Sequence, residues 1–166
     1  MKKLIAIALC AVMALPFASC GNGTKSTPSS GGLTGNVQIA NPFTDCKSLD
    51  EAVELAGFEI TVPDEVDGYD APNFRAMKDS MIEIIFTNDN GEIRIRKAAG
   101  SEDASGDYTA YAEVFNTTVD GREVTMKGED GKVKLASWVS GDYTYSVSIQ
   151  AGVSSESAAE LIQSIQ

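Results

Sequence analysis

Apolar residues recur along the chain at two different periods, and the changes of period mark out its elements. From Ser48 the spacing is helical: Leu49, Ala52, Val53 and Ala56 fall on one face, Ser48 and Glu51 form a capping box, and Gly57 supplies the stop. Phe58, Ile60 and Val62 then alternate with polar residues up to Pro63, the pattern of a short strand, and residues 64–74 read as loop. Further on, Ile82, Ile84 and Phe86 meet Ile93 and Ile95 across an Asn90-Gly91 pair that favours a two-residue hairpin. That register places these five side chains on one face and Glu83, Ile85, Thr87, Arg94 and Arg96 on the other.

Two more turn signals, Asp120-Gly121 and Asp130-Gly131, divide residues 113–139 into three strands. Phe115, Thr117, Val119, Val124, Met126, Val133, Leu135 and Val139 then share a face, and a meander is the economical reading. A three-residue loop, Ser140-Gly141-Asp142, adds Tyr143, Tyr145, Val147 and Ile149 to that face, whereas a two-residue loop would reverse the assignment. The chain closes with a helix capped by Ser154 or Ser155, with Ala158, Leu161, Ile162 and Ile165 as its apolar stripe. Helix, strands and helix in this order predict an α+β domain over residues 41–166. Its expected form is an antiparallel sheet of about six strands, hairpin plus meander, with two helices packed on one face. No alternation of strand and helix units points to a parallel nucleotide-binding sheet.

The first 40 residues follow different rules. Lys2 and Lys3, an apolar run of about a dozen residues and the stretch Phe17-Ala18-Ser19-Cys20 predict a bacterial lipoprotein signal over residues 1–19. The run is short for a membrane span, which needs about 20 apolar residues. Cleavage ahead of Cys20 leaves that residue lipidated and the chain held to a cell membrane on its extracytoplasmic side. Residues 20–40, rich in Gly, Ser, Thr and Pro, then form a flexible tether. Cys10 departs with the signal and Cys20 is consumed by lipid, so Cys46 is the remaining thiol and reads as a small packing residue. Loss of Lys2 and Lys3 takes the formal net charge from −11 to about −13, which disfavours nucleic acid as a partner.

Candidate chemistry is sparse. The chain has no histidine, which removes the commonest general base, the usual partner of a nucleophilic serine or cysteine and the commonest zinc ligand. There is no Ser-x-x-Lys, no Gly-x-Ser-x-Gly and no phosphate-cradling glycine loop, so no cofactor is expected. Asp64, Glu65, Asp67 and Asp70, and Glu102, Asp103 and Asp107, form acidic runs of the kind that usually face water. Calcium is their better functional reading, yet Phe74 and Lys97 stand where a calcium hand needs its bidentate glutamate, and no metal is expected. Trp138 falls beside Ala136, Thr125, Glu123 and Thr118, away from the apolar row. Either another segment such as residues 108–111 covers it, or it is an exposed platform. With Arg94 and Arg96 it makes up the candidate binding surface, on the sheet face opposite the helices.

Several phrases beyond residue 41 resemble an uncharacterised domain family of clostridial and related Gram-positive lipoproteins. They are Asn41-Pro42-Phe43, residues 48–57 followed by Phe58-Glu59-Ile60-Thr61-Val62-Pro63, Ile93-Arg94-Ile95-Arg96-Lys97-Ala98, Ser105-Gly106-Asp107-Tyr108, and residues 138–148. The resemblance implies an extracytoplasmic α+β domain without assigned catalytic residues and a Gram-positive source.

Together these readings predict a membrane-anchored, non-enzymatic binding or interaction module. An envelope carrier or chaperone for an apolar ligand or exported protein is the alternative, and a carboxylate-based hydrolase the third reading. Labelled fatty acid should enter the full-length protein in its host and be absent from the Cys20→Ala variant; equal labelling of both would refute the lipid anchor.

Overall fold

A computed structural model describes residues 41–166; the expected signal of residues 1–19 and the tether of residues 20–40 with Cys20 lie outside the described residues. The elements run β1 Thr44–Cys46, α1 Leu49–Ala56, β2 Asn73–Met77, β3 Met81–Asn88, β4 Gly91–Ala99, β5 Glu113–Val119, β6 Arg122–Glu129, β7 Lys132–Ser140, β8 Tyr143–Val153 and α2 Ser155–Gln163. The α+β class holds, but the antiparallel sheet has eight strands rather than about six, in the order β1-β2-β3-β4-β8-β7-β6-β5.

Both helices start as their sequences dictate. The Ser48 hydroxyl accepts the Glu51 N–H at 3.2 Å, and the Glu51 carboxylate reaches back one residue further, to the Lys47 N–H at 2.8 Å. Gly57, left-handed at φ 80°, ends α1 by donating to the Val53 carbonyl. Ser154 caps α2 by accepting the Ser157 N–H at 3.1 Å. Ala52 and Ala56 of α1, and Ala158 and Ile162 of α2 with Ile165 beyond it, join one core with Ile84, Ile95, Val147, Ala136 and Met126. Those five sheet residues are cross-strand neighbours along one row, so the side chains of both helices meet the same face.

The strands depart from expectation in instructive ways. β1 and β2 pair at one edge of the sheet; in the five-residue β2 Phe74 and Ala76 face the core and Arg75 faces Glu83, an alternation too short to stand out in the sequence. Residues 58–62 form no strand: Ile60 is buried, and Thr61 exchanges both backbone hydrogen bonds with Gln166, at 2.8 and 3.0 Å. Their alternation reflects burial beside the sheet rather than membership of it. The β3–β4 hairpin turns at residues 89 and 90, with Asn88 opposite Gly91. This turn stands one position earlier than an Asn90-Gly91 centred turn, which slides the strand pairing by two residues and so preserves the faces. The meander turns fall as expected, with Asp120 and Asp130 at φ 50° and 53° ahead of glycines at 76° and 70°, the paired positive φ that matches strand twist.

A β-bulge decides the central strands. Lys127 lies opposite Leu135 but Gly128 lies opposite Val133, so β7 carries one residue more than β6, and the faces of β7 exchange there. Val133, Ala136 and Trp138 join the core, while Leu135 is buried on the other face and Val139 is exposed. The loop after β7 has two residues, since Ser140 pairs with Tyr143. Alone, that loop would have turned Tyr145, Val147 and Ile149 away from the helices. After the bulge it turns them in, and all three are core residues.

The bulge depends on a bare backbone at Gly128, where a Cβ would stand 1.8 Å from the Lys132 carbonyl oxygen. Gly128→Ala should cost about 2–3 kcal/mol through forced backbone displacement, lowering the thermal midpoint by roughly 10 °C. An unchanged unfolding curve would show that the bulge does not need this glycine.

Candidate functional site

β4 occupies the fourth place in the sheet and β5 the far edge, so the connection at residues 100–112 must pass β8, β7 and β6 to reach its strand. It does so over the face opposite the helices, burying Ala104 and Ser105. A buried ion cluster holds it there. Glu83 projects from β3 onto this face, opposite Arg75 on β2 and Arg96 on β4. Its side chain is 0% exposed. Arg75 Nε donates to Glu83 Oε1 at 2.7 Å and Arg96 Nε to Oε2 at 2.7 Å. The Phe43 ring lies under both guanidinium groups, at 5.0 and 5.8 Å.

Arg96 carries the cluster outward to the connection. Its Nη1 donates to the Ala104 carbonyl at 3.1 Å and to the Ser105 carbonyl at 2.5 Å. Gly106 follows in a left-handed conformation, φ 62°, and a Cβ there would meet Arg96 Nη1 at 2.9 Å. Short-range side-chain bonds shape the rest of the segment. Asp103 accepts from the Ser105 N–H and hydroxyl, Ser105 Oγ accepts the Asp107 N–H, and Asp107 accepts the Thr109 N–H at 2.8 Å and the Tyr111 hydroxyl at 2.5 Å.

The connection divides the outer face into two grooves. One, of about 560 Å³, is lined by Ser101, Asp103, Asn116, Thr125, Lys127 and Ser137. The other, of about 370 Å³, has Arg94 on β4 and Gln150 on β8 beneath Asp107, Tyr108 and Tyr111. Tyr108 is 94% exposed at its rim. Arg94 differs from Arg96 in being incompletely used. Its Nη2 donates to Glu92, whereas its Nε stands 3.5 Å from Glu83, buried and without a hydrogen-bond partner.

The structure therefore brings Arg94 and Arg96 together on the outer face but separates Trp138 from them. Trp138 points to the helix side and is 3% exposed, stacked on Tyr145 at 5.1 Å, with Arg122 5.6 Å over its ring. Arg122 in turn donates to the Ile162 and Ile165 carbonyls at the end of α2. The indole is covered, but from the helix side and not by residues 108–111, and it is no part of the outer surface. The physical reason is the bulge in β7, which moved it to the core face.

Glu83, Arg75 and Tyr108 complete the site and carried no motif of their own. The available signal was the hairpin register, which sets Glu83 on the face of Arg94 and Arg96. Burial, then Glu51, pushes the Cys46 thiol up, and its Sγ–H points at the Thr44 carbonyl, a packing role. The Asp70 N–H donates to the Thr87 carbonyl and Asn88 Nδ2 to the Gly68 carbonyl, fastening loop 64–72 to β3, and no group of three or more His, Cys, Asp or Glu side chains converges among the described residues.

Hydrogen bonds from Thr109 and Tyr111 hold the Asp107 carboxyl below its usual range, while burial and the bond to Asp107 push the Tyr111 phenol up to about 12. A lowered acid stabilises the fold above its ordinary range and ceases to as pH falls. A raised phenol stabilises it below its ordinary range and ceases to as pH rises through about 12. Tyrosinate absorbance should show one late-titrating phenol that shifts down, without becoming fully ordinary, in Asp107→Asn; an unchanged titration would break the link to Tyr111. No protein family, curated protein or solved structure matches the chain.

Proposed function

We propose that residues 41–166 are a non-enzymatic binding module, displayed on the extracytoplasmic side of a membrane through the lipid on Cys20. The single observation that carries this reading is Arg94. Its guanidinium, paired with Glu92 and 3.5 Å from Glu83, still lines an open groove with the side chain 29% exposed, beside a solvent-exposed tyrosine. Such a floor and rim suit a polar ligand bearing acceptor oxygens, bonded by the guanidinium and packed against the Tyr108 ring. Arg96 has no comparable freedom, because Glu83 and the connection occupy it. The sequence phrases that resemble clostridial lipoprotein domains, which no family match accompanies, point to the same location.

Packing weighs against the two alternatives. A carrier of apolar cargo needs room between sheet and helices, where Ile82, Ile84, Phe86, Ile95, Met126 and Ile162 are completely buried. A carboxylate hydrolase needs two acids facing one another across a cleft. Of the two acids lining the smaller groove, Glu92 is paired with Arg94 and Asp107 is engaged by Thr109 and Tyr111.

Native mass spectrometry of the mature lipoprotein, recovered from the envelope of its own host, tests the proposal. Wild-type protein should retain a ligand that the Arg94→Ala, Tyr108→Ala double variant loses, with thermal unfolding shifted by less than about 5 °C. A wild-type protein that carries nothing, or equal retention by both, would overturn the assignment.

A further inference from the structure

The smaller groove meets a ligand with its charges already matched. Four ionised side chains line it, Glu92, Arg94, Asp107 and Lys134, two of each sign. Arg94 donates to Glu92 and stands 3.5 Å from Glu83, and Lys134 pairs with Glu129. Asp107 accepts the Thr109 N–H and the Tyr111 hydroxyl. A charged ligand would have to compete with one of these partners, and an anion would also approach a chain of formal net charge −11. The backbone of the floor is spent as well. β4 lies between β3 and β8, and β8 between β4 and β7, so their N–H and C=O groups serve the sheet and no peptide can add to them as a strand. The remaining groups are uncharged. Gln150 accepts the Glu92 N–H with its amide oxygen at 3.2 Å, which leaves its NH2 as a donor, and Ser148 adds a hydroxyl. Tyr108 adds a ring at the rim, 94% exposed among the described residues.

We infer, on the reading of the Arg94 groove as the binding site, that its ligand is a neutral saccharide. A sugar hydroxyl donates and accepts at once, so it bonds to a guanidinium or carboxylate without displacing that group's partner, and to Gln150 and Ser148 in the same way. The C–H face of a pyranose ring is apolar and broad enough to lie on a phenol ring, the contact that Tyr108 offers beyond its hydroxyl. A simple anion has no use for that ring, and an apolar ligand would cover Gln150 and Ser148 without bonding them. The volume of about 370 Å³ falls within the range of small-molecule sites.

Binding of the full-length lipoprotein, in a detergent that is not itself a glycoside, to an array of oligosaccharides tests the class of ligand. The array carries neutral oligomers of glucose, galactose, mannose and N-acetylglucosamine, their phosphorylated and sulfated forms, and extended peptides. A neutral oligosaccharide should bind, with a Kd that changes less than about twofold between about 0.05 and 0.5 M salt, because no ion pair with the ligand is made. Tyr108→Ala should raise that Kd roughly tenfold or more while leaving thermal unfolding unchanged, since the ring it removes packs against ligand rather than against the domain. Failure to bind any neutral member, preference for the charged forms, or equal binding by Tyr108→Ala would overturn the inference. A charged or peptide ligand that wild type retains, and that is lost with Arg94 and Tyr108, would keep the groove as a binding site and remove the saccharide. Retention of nothing from the envelope, with no binding on the array, would remove both.

Discussion

One carboxylate organises the outer half of this domain. Glu83 has no exposure to solvent, and an isolated charge in that position would be prohibitively costly, so the arginines around it are obligatory rather than decorative. Arg75 and Arg96 reach it from the strands on either side, tying β2, β3 and β4 along one row. Arg96 then uses its remaining donor on the carbonyls of residues 104 and 105. The long connection to β5 is thus fastened where it leaves β4, and the grooves on both sides of it exist because it is fastened. Arg94, beside the same carboxylate, keeps part of its side chain exposed on the floor of the smaller groove.

On the inner face the governing constraint is parity. A sheet side chain belongs to one face or the other, and a single inserted residue exchanges them. The extra residue of β7 delivers Ala136 and Trp138 to the helices, and the two-residue loop that follows delivers Tyr145, Val147 and Ile149 to the same side. Either change alone would leave apolar rows on opposite faces. Their combination yields one continuous core, at the expense of Leu135, which is buried on the other face. Arg122 closes that core at the meander end by lying on Trp138 while donating to the Ile162 carbonyl in the last turn of α2 and to the Ile165 carbonyl just beyond it.

Local features proved readable where the chemistry is local. Ser48 and Ser154 announce the helices because a cap needs only the next three residues, and Asp-Gly pairs announce the meander because their φ values suit few other sequences. β2 escaped notice because it is five residues long with Phe74 and Ala76 as its core-facing residues, too little alternation to stand out, and Arg75 between them answers Glu83 on the neighbouring strand. Trp138 looked misplaced for a related reason: Gly128 permits a bulge whose effect appears only ten residues later.

The sequence by itself determined the α+β class, both helices, the hairpin faces and the meander turns, since each follows from periodicity, capping or turn chemistry within a few residues. It also placed Arg94 and Arg96 on one face, because residues two apart on a strand share a face wherever that strand is put. Tertiary structure alone decided the order of the eight strands, the path of residues 100–112 across the outer face and the burial of Trp138. These depend on pairings between residues far apart in the chain, and on a one-residue change of register that a glycine allows and the completed core makes favourable.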